Sequence, residues 1–268
     1  MQKGLTGFQM KVLGVVTMVI DHIAEFFYFL GTPVWFHWIG RISAPIFLFE
    51  SAEGFAYTSN RKKYMFRLLL GFWIMGIINL ILNTYFKVGD SIVINNIFGT
   101  LFLGTVFMQA IDYLGLGAKG KQTRSIGKGI LWLIVPIIVS VLPLVIMTTM
   151  EHGNSLVIHI FQVFTYLVPT LFITEGGFLF VLLAALFYLF HGKKGLQIGA
   201  LLLIAIITLV GGNMQHPFSD NYQWMMMFTA IPIILYNGEK GRSMRSFFYY
   251  FYPAHIAIFA IISFFIQK

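Results

Sequence analysis

The sequence predicts an all-α, polytopic integral membrane protein of about nine transmembrane helices plus one re-entrant or partial helix, with ten full crossings as the alternative. Three observations lead there. Hydrophobic residues make up 58% of the 268-residue chain and charged residues 10%, with a mean hydropathy of +0.81; ordinary soluble domains carry about 25% charged residues. The apolar residues come in runs long enough for the ~20 helical residues that cross a hydrocarbon core. Such runs exclude an outer-membrane barrel, whose signature is short alternating strands. Finally, the basic residues gather in the short loops between the runs, and no long polar stretch intervenes, so residues 1–268 read as one transmembrane domain.

In order, the apolar spans are 8–30, 39–58, 64–82, 91–115, 129–149, 155–173, 174–190, 196–212, 222–236 and 246–266. The first has a basic approach (MQKGLTGFQMK) like a signal peptide. It contains Asp21 and His22, however, and no small-residue cleavage site follows, so it is read as a retained first helix. In the second, Pro45 should kink or start the helix and free backbone carbonyls. Near the end, Pro253 sits in an aromatic run where it can break or begin the last helix.

Basic residues orient these spans. The clusters are Arg61, Lys62, Lys63 and Arg67; Lys119, Lys121, Arg124 and Lys128; Lys193 and Lys194; and Lys240, Arg242 and Arg245. Placed inside with Lys3 and Lys11, they put 15 of the 18 basic residues on the cytoplasmic side and leave Arg41, Lys87 and Lys268, as the positive-inside rule requires. An even number of crossings must then separate the second and third clusters, where three apolar runs lie. The run 155–173 should not cross fully: it contains His159, Gln162 and Pro169 and is flanked by Glu151, His152 and Glu175. Irregular backbone at membrane depth is tolerated where it lines a cavity. The expectation is a cytoplasmic (inner) membrane protein with its N-terminus inside and its C-terminus outside. Membrane orientation accounts for the net charge of +8 and the pI of 9.6, so no nucleic acid partner is implied. The absence of cysteine removes thiol nucleophiles, disulfides and thiolate metal sites. No Walker, HExxH or GxSxG motif and no closed His/acid metal spacing is present.

Six ionisable residues stand out: Asp21, His22, Glu25, Arg41, Glu50 and Glu53 lie within or at the edge of the first two spans. A charge at mid-bilayer costs roughly 2.5–3.5 kcal/mol on the most lenient scale, so such groups pair, face a wet cavity or do work. Asp21 and His22 point about 100° apart, but Glu25 lies three residues after His22, where a carboxylate can reach the imidazole. A histidine oriented by a carboxylate is an arrangement suited to a general base; the plainer reading is a polar helix–helix contact. In the second span, Ser43, Glu50, Glu53 and Tyr57 form one helical stripe, with Arg41 at its outer end as interface anchor or site residue. The loop TSNRKKYMFR serves either to orient the chain and attract anionic lipid or to dock the phosphates of a donor such as coenzyme A. His255, two residues after Pro253, is aimed inward or is structural. Asn79, Asn83, Asn95, Asn96, Gln109 and Asp112 add polar groups suited to gluing helices together.

The series DHI, then GRISAPIFLFESAEGFAYTSNRKKYMFRLL, then YYFYPAHI resembles the TraX family over most of the chain. Proteins of that family are associated with N-acetylation of the conjugative pilin subunit and are related to wider groups of membrane acyltransferases. On this resemblance, Asp21 and His22 match the family's DH pair, and Arg41 its GRI element. Glu53 and Gly54 match the acidic-glycine pair before the basic loop, Asn60, Arg61, Lys62 and Lys63 the loop, and Pro253 and His255 the terminal element. Glu25 and Glu50 rest on helical geometry instead.

The resemblance implies an acyltransferase using acetyl-CoA, without a metal. Asn60, Arg61, Lys62, Lys63 and Arg67 would hold the donor. His22 would act as base or transient acyl carrier, with Asp21, Glu25, Glu50, Glu53 and Arg41 around it. Tyr57, Tyr252 and His255 would face the acceptor, a peptide N-terminus or a glycan, with the lipid bilayer as surroundings. A proton-coupled secondary transporter is the alternative, since intramembrane acids and histidines also build proton relays.

Overall fold

A computed structural model describes residues 4–87, 92–117, 124–150, 155–243 and 245–268. Among them the regular structure is helical, apart from one isolated bridge between Leu5 and Tyr236. The helices are α1 (Gly7–Phe26), α2 (Trp35–Gly40), α3 (Ser43–Tyr57), α4 (Arg61–Tyr85), α5 (Ile97–Tyr113), α6 (Ile126–Met150), α7 (Ser155–Leu167), α8 (Gly177–Leu189), α9 (Lys194–Gly211), α10 (Ala230–Leu235) and α11 (Arg245–Gln267). A 3₁₀ segment, Gln223–Thr229, leads into α10. Among the described residues, five helices are long and apolar enough to cross a membrane: α1, α4, α6, α9 and α11. Isoleucines, leucines and valines of α6 and α9 are exposed, whereas Asp21, His22, Glu50, Glu53 and Asp112 are buried. Apolar outside and ionisable inside is the arrangement of a membrane protein.

Local chemistry accounts for several boundaries. Thr6 and Gln9 form a reciprocal capping box that starts α1, satisfying donors that a helix N-terminus leaves open. Pro45 falls in the first turn of α3, where a missing N–H costs nothing, so it starts the helix as expected. Asn60 caps α4 by accepting the Lys63 N–H at 2.9 Å. Pro253 behaves otherwise: α11 runs straight through it, because apolar and aromatic packing on both sides continues the helix past one lost hydrogen bond.

The described residues pack as two compact units. The first comprises Met1–Ser51, Ile81–Val93 and Phe190–Lys268. Within it α3 runs antiparallel to α1, since the Ser43 hydroxyl donates to Gly14 O at 2.8 Å and Glu50 pairs with Lys11 at 2.5 Å. α11 runs parallel to α1, with His255 beside His22 and the Ser263 hydroxyl donating to Phe26 O at 2.7 Å. At the start of α1, Gly7 N donates to Glu239 O at 2.8 Å, Leu5 bridges to Tyr236, and Lys194 donates to Tyr236 O. Lys11, Lys194 and Lys240 therefore gather at one end of this unit. At its other end, the Trp38 indole donates to Phe218 O and the Trp224 indole to Pro217 O, each at 2.8 Å.

The second unit comprises Ala52–Leu80 and Ile94–Leu189. There α4 and α5 run antiparallel, tied by Asn79 donating to Asn95 O and by Asn96 donating to Phe72 O, both at 3.0 Å. α8 lies alongside α5 in the same direction, joined by Thr100 to Glu175 O at 2.5 Å and by Tyr188 to Asp112 at 2.8 Å. The runs expected at 155–173 and 174–190 become two helices of 13 residues each, about 20 Å long against a ~30 Å hydrocarbon core. Residues 168–176 separate them without helix, and Leu171 N donates to the Ser140 hydroxyl at 2.9 Å. Gly176 and Gly177 take left-handed φ of 71° and 56°, a conformation open to glycine that leads the chain out of the irregular stretch into α8. The irregular stretch thus sits at the join of two half-length helices, while His159 and Gln162, which drew attention to this run, are exposed on α7. Lys3, Lys119, Lys121, Glu151 and His152 lie outside the described residues.

Candidate functional site

Helix α1 delivers Asp21 and His22 to different neighbours, because consecutive helical residues point about 100° apart. Asp21 faces α2. Its Oδ1 lies 2.8 Å from His37 Nδ1 and its Oδ2 takes a charge-assisted hydrogen bond from Arg41 Nη2. The close approach of α2 requires Gly40, where a β-carbon would overlap the Asp21 side chain. Arg41 is held at three points: Nη2 on Asp21, Nη1 on Gln223 Oε1 at 3.1 Å, and Nε on His37 O at 3.4 Å. The Tyr222 ring lies flat against His37 (5.2 Å between centroids, 6° between planes) and 5.5 Å from the Arg41 guanidinium carbon.

His22 faces α11 instead. Its Nδ1 lies 2.6 Å from His255 Nε2, and His255 Nδ1 lies 2.9 Å from Phe251 O in its own helix. Phe251 stacks on His255 with centroids 5.0 Å apart, and Tyr252 stands edge-on to both histidines. Both imidazoles are buried. Glu25 Oε2, on the same helix, is 3.8 Å from His22 Nε2 with its side chain 42% exposed. That is beyond a normal hydrogen bond.

A scan of family models matches the chain to "TraX protein" over residues 6–142 and 132–263. The chain belongs to the TraX family. A further relative is the "Probable fimbrial assembly protein FimC, serogroup H1" of Dichelobacter nodosus, 35% identical over 68 residues. The match takes in 24% of this chain and spans only 27% of that relative's length. No solved structure matches.

Of the positions picked out by their TraX resemblance, Asp21, His22, Arg41 and His255 come together in the first unit, through direct contacts or as neighbours in α1. Glu25 and Tyr252 lie against His22 as well, whereas the other sequence candidates have their own surroundings within each unit. Glu50 is buried against Lys11, ten residues or about 15 Å along α1 from Asp21. Glu53 is buried on the part of α3 that belongs to the second unit, and Tyr57, also there, is 72% exposed. Asn60 caps α4, Lys62 and Lys63 are exposed, and Arg67 is half-buried. Arg61 turns inward: it pairs with Asp112, donates to Tyr188 Oη at 2.9 Å, and lies 4.6 Å over the Phe55 ring. As a phosphate ligand it is already engaged.

Three residues of the Asp21 centre were missed from sequence. His37 reads as one polar residue in an aromatic interfacial stretch (WFHWIGR), and its spacing of four from Arg41 was the available signal. Tyr222 and Gln223 arrive from about 180 residues away, and no local pattern marks them.

Proposed function

We propose that this protein is an integral-membrane acyltransferase that moves an acetyl group from acetyl-CoA to an amine or hydroxyl at the membrane or its outer face. The observation that carries the reading is the buried His22–His255 pair beside the Asp21–His37–Arg41 centre, in a chain of the TraX family. His22 Nε2 takes the proton of the acceptor N–H or O–H as that atom bonds to the acyl carbon. The carbon–sulfur bond of the thioester breaks, and the proton passes to the departing thiolate. Asp21, paired with Arg41 and in contact with His37, fixes the electrostatics next to the base. Lys62, Lys63 and Arg67 attract the donor's phosphates, while Arg61 anchors the start of α4 to Asp112. The fimbrial-assembly name of one relative supports a pilin-like peptide acceptor.

Nine crossings fit this reading, with α7 and α8 counted together as one interrupted crossing in a cytoplasmic membrane. The clustering of Lys11, Lys194 and Lys240 at the end of the first unit where α1 begins supports a cytoplasmic N-terminus. A reporter fused after Lys194 should report a cytoplasmic location; an external signal there overturns the count.

The enzymatic reading is tested with His22→Ala and labelled acetyl-CoA. Loss of a general base should lower transfer by about 100-fold or more. Undiminished transfer in an inserted, folded variant removes His22 from catalysis. The interruption at 168–176 favours a second reading, a proton-coupled transporter, because broken helices at membrane depth form transport sites. Saturable acetyl-CoA binding supports the enzyme; proton-driven uptake without CoA binding supports the transporter.

A further inference from the structure

We propose that His255 is a positioning residue that fixes the tautomer of His22 and shares the proton His22 takes up. The inference deepens the reading of His22 as a base and rests on it for function, though not for geometry.

The tautomer follows from one backbone carbonyl. Phe251 O is an acceptor only, so His255 Nδ1, 2.9 Å away, must carry a hydrogen. A neutral imidazole has one N–H, and His255 Nε2 is therefore a bare acceptor. Across the 2.6 Å contact, His22 Nδ1 must then be the donor. His22 consequently keeps its lone pair on Nε2, the nitrogen that faces Glu25. An imidazole whose Nδ1–H is held by a second group is the arrangement that orients the base of a catalytic triad; here the holding group is an imidazole rather than a carboxylate.

The imidazole adds something a carbonyl or amide partner lacks. When a proton reaches His22 Nε2, the Nδ1–H bond of His22 can break as an N–H bond forms at His255 Nε2. The cation then sits on His255, whose two N–H groups point at His22 Nδ1 and Phe251 O. No heavy atom moves and nothing is oxidised or reduced. Three aromatic rings receive that cation: Phe251 stacked at 5.0 Å, Tyr252 edge-on at 5.7 Å and Phe259 edge-on at 5.8 Å. The stacked face offers cation–π stabilisation. Glu25 Oε2 lies 3.8 Å from the other end of the relay. The pair thus spreads one positive charge over two rings in a site where a localised charge is costly.

The experiment uses the full chain in nanodiscs with ¹⁵N-labelled histidine, the His22 signals being assigned by their loss in His22→Asn. Wild-type protein should show His22 protonated at Nδ1 and bare at Nε2. His255→Gln, which still offers an oxygen to accept the His22 hydrogen, should keep that tautomer; His255→Leu should lose it. In acetyl transfer, His255→Gln should lower kcat about 10-fold and His255→Leu about 100-fold, with the KM for the donor unchanged in both. A wild-type His22 that carries its hydrogen on Nε2 overturns the proposal, as does His255→Leu with the tautomer unchanged. If His255→Leu does not fold, the wild-type and His255→Gln spectra decide. Absence of transfer in every variant, with the spectra as expected, removes the acyltransferase reading and the relay's part in it, and leaves the tautomer assignment standing.

Discussion

Each compact unit buries an aspartate–arginine pair in its apolar helices, and the two pairs are surrounded by different chemistry. Asp112 and Arg61 in the second unit have side chains 0% and 13% exposed. Tyr188, Gln109 and the Phe55 ring complete the shell around them. Asp21 and Arg41 in the first unit are more open, at 12% and 25%, and an imidazole occupies the carboxylate's other oxygen. The next residue along α1 joins a second imidazole pair. The same two residue types therefore make a clamp in one place and, next to exchangeable protons, a candidate reaction centre in the other. What separates them is the neighbours and their access to solvent, since an ion pair in a membrane protein says by itself only that two charges have been neutralised.

The largest expected effect tests the clamp. Removing one partner of a buried pair leaves an uncompensated charge and costs about 3–5 kcal/mol, whereas replacing both by apolar residues is often neutral. Asp112→Leu should therefore lower the thermal stability of the purified protein strongly, and the double variant Arg61→Leu/Asp112→Leu should recover most of the loss. A single variant that melts like wild type would remove the distinction between the two pairs.

A smaller effect is expected at the open pair. Asp21→Asn keeps one oxygen for Arg41, turns an amide NH2 towards His37 Nδ1, and removes the charge beside His22. Acetyl transfer should fall about 10-fold, as for other supporting residues of a site, while the melting temperature changes little. If Asp21→Asn instead destabilises as much as Asp112→Leu, both pairs are clamps.

The smallest effect concerns the exposed lysines at the start of α4. Replacing Lys62 and Lys63 by Gln should raise the KM for acetyl-CoA about five-fold, corresponding to roughly 1 kcal/mol. The effect should shrink as salt is added, and stability should stay within about 0.5 kcal/mol of wild type. An unchanged KM would place the donor's phosphates elsewhere.

Much of the fold was legible because its causes are local. Pro45 at a helix start and Asn60 at a cap act through their own backbone, and the basic loop residues report the end of the unit to which they belong. Pro253 misled because the propensity to break a helix is local, whereas the packing that carries α11 across it is not. The half-length helices α7 and α8 were foreseen as an irregularity in 155–173, and the join at 168–176 takes in Pro169 of that run and extends to Gly176, whereas the polar His159 and Gln162 stay in regular helix. At the candidate site, Asp21 and His22 were visible as charged residues in an apolar run. Glu25 was the nearest helical partner for His22, and the contact is 3.8 Å; the partner the fold supplies at 2.6 Å is 233 residues away. Arg61 looked like a phosphate ligand because a string of cations has no direction on paper, and only its helix start beside Asp112 turns it inward.

The sequence by itself determined that this chain is a helical membrane protein of the TraX family with ionisable groups near the start, because a bilayer demands long apolar runs and penalises every charge within them. It also determined that Asp21 and His22 diverge by about 100°, because the helix geometry is fixed. What stands at each of those angles was decided by tertiary structure alone. α2 brings His37 and Arg41 to the aspartate, and a parallel α11 brings His255 to the histidine. Helix period sets directions, but only packing between distant segments sets who is met along them.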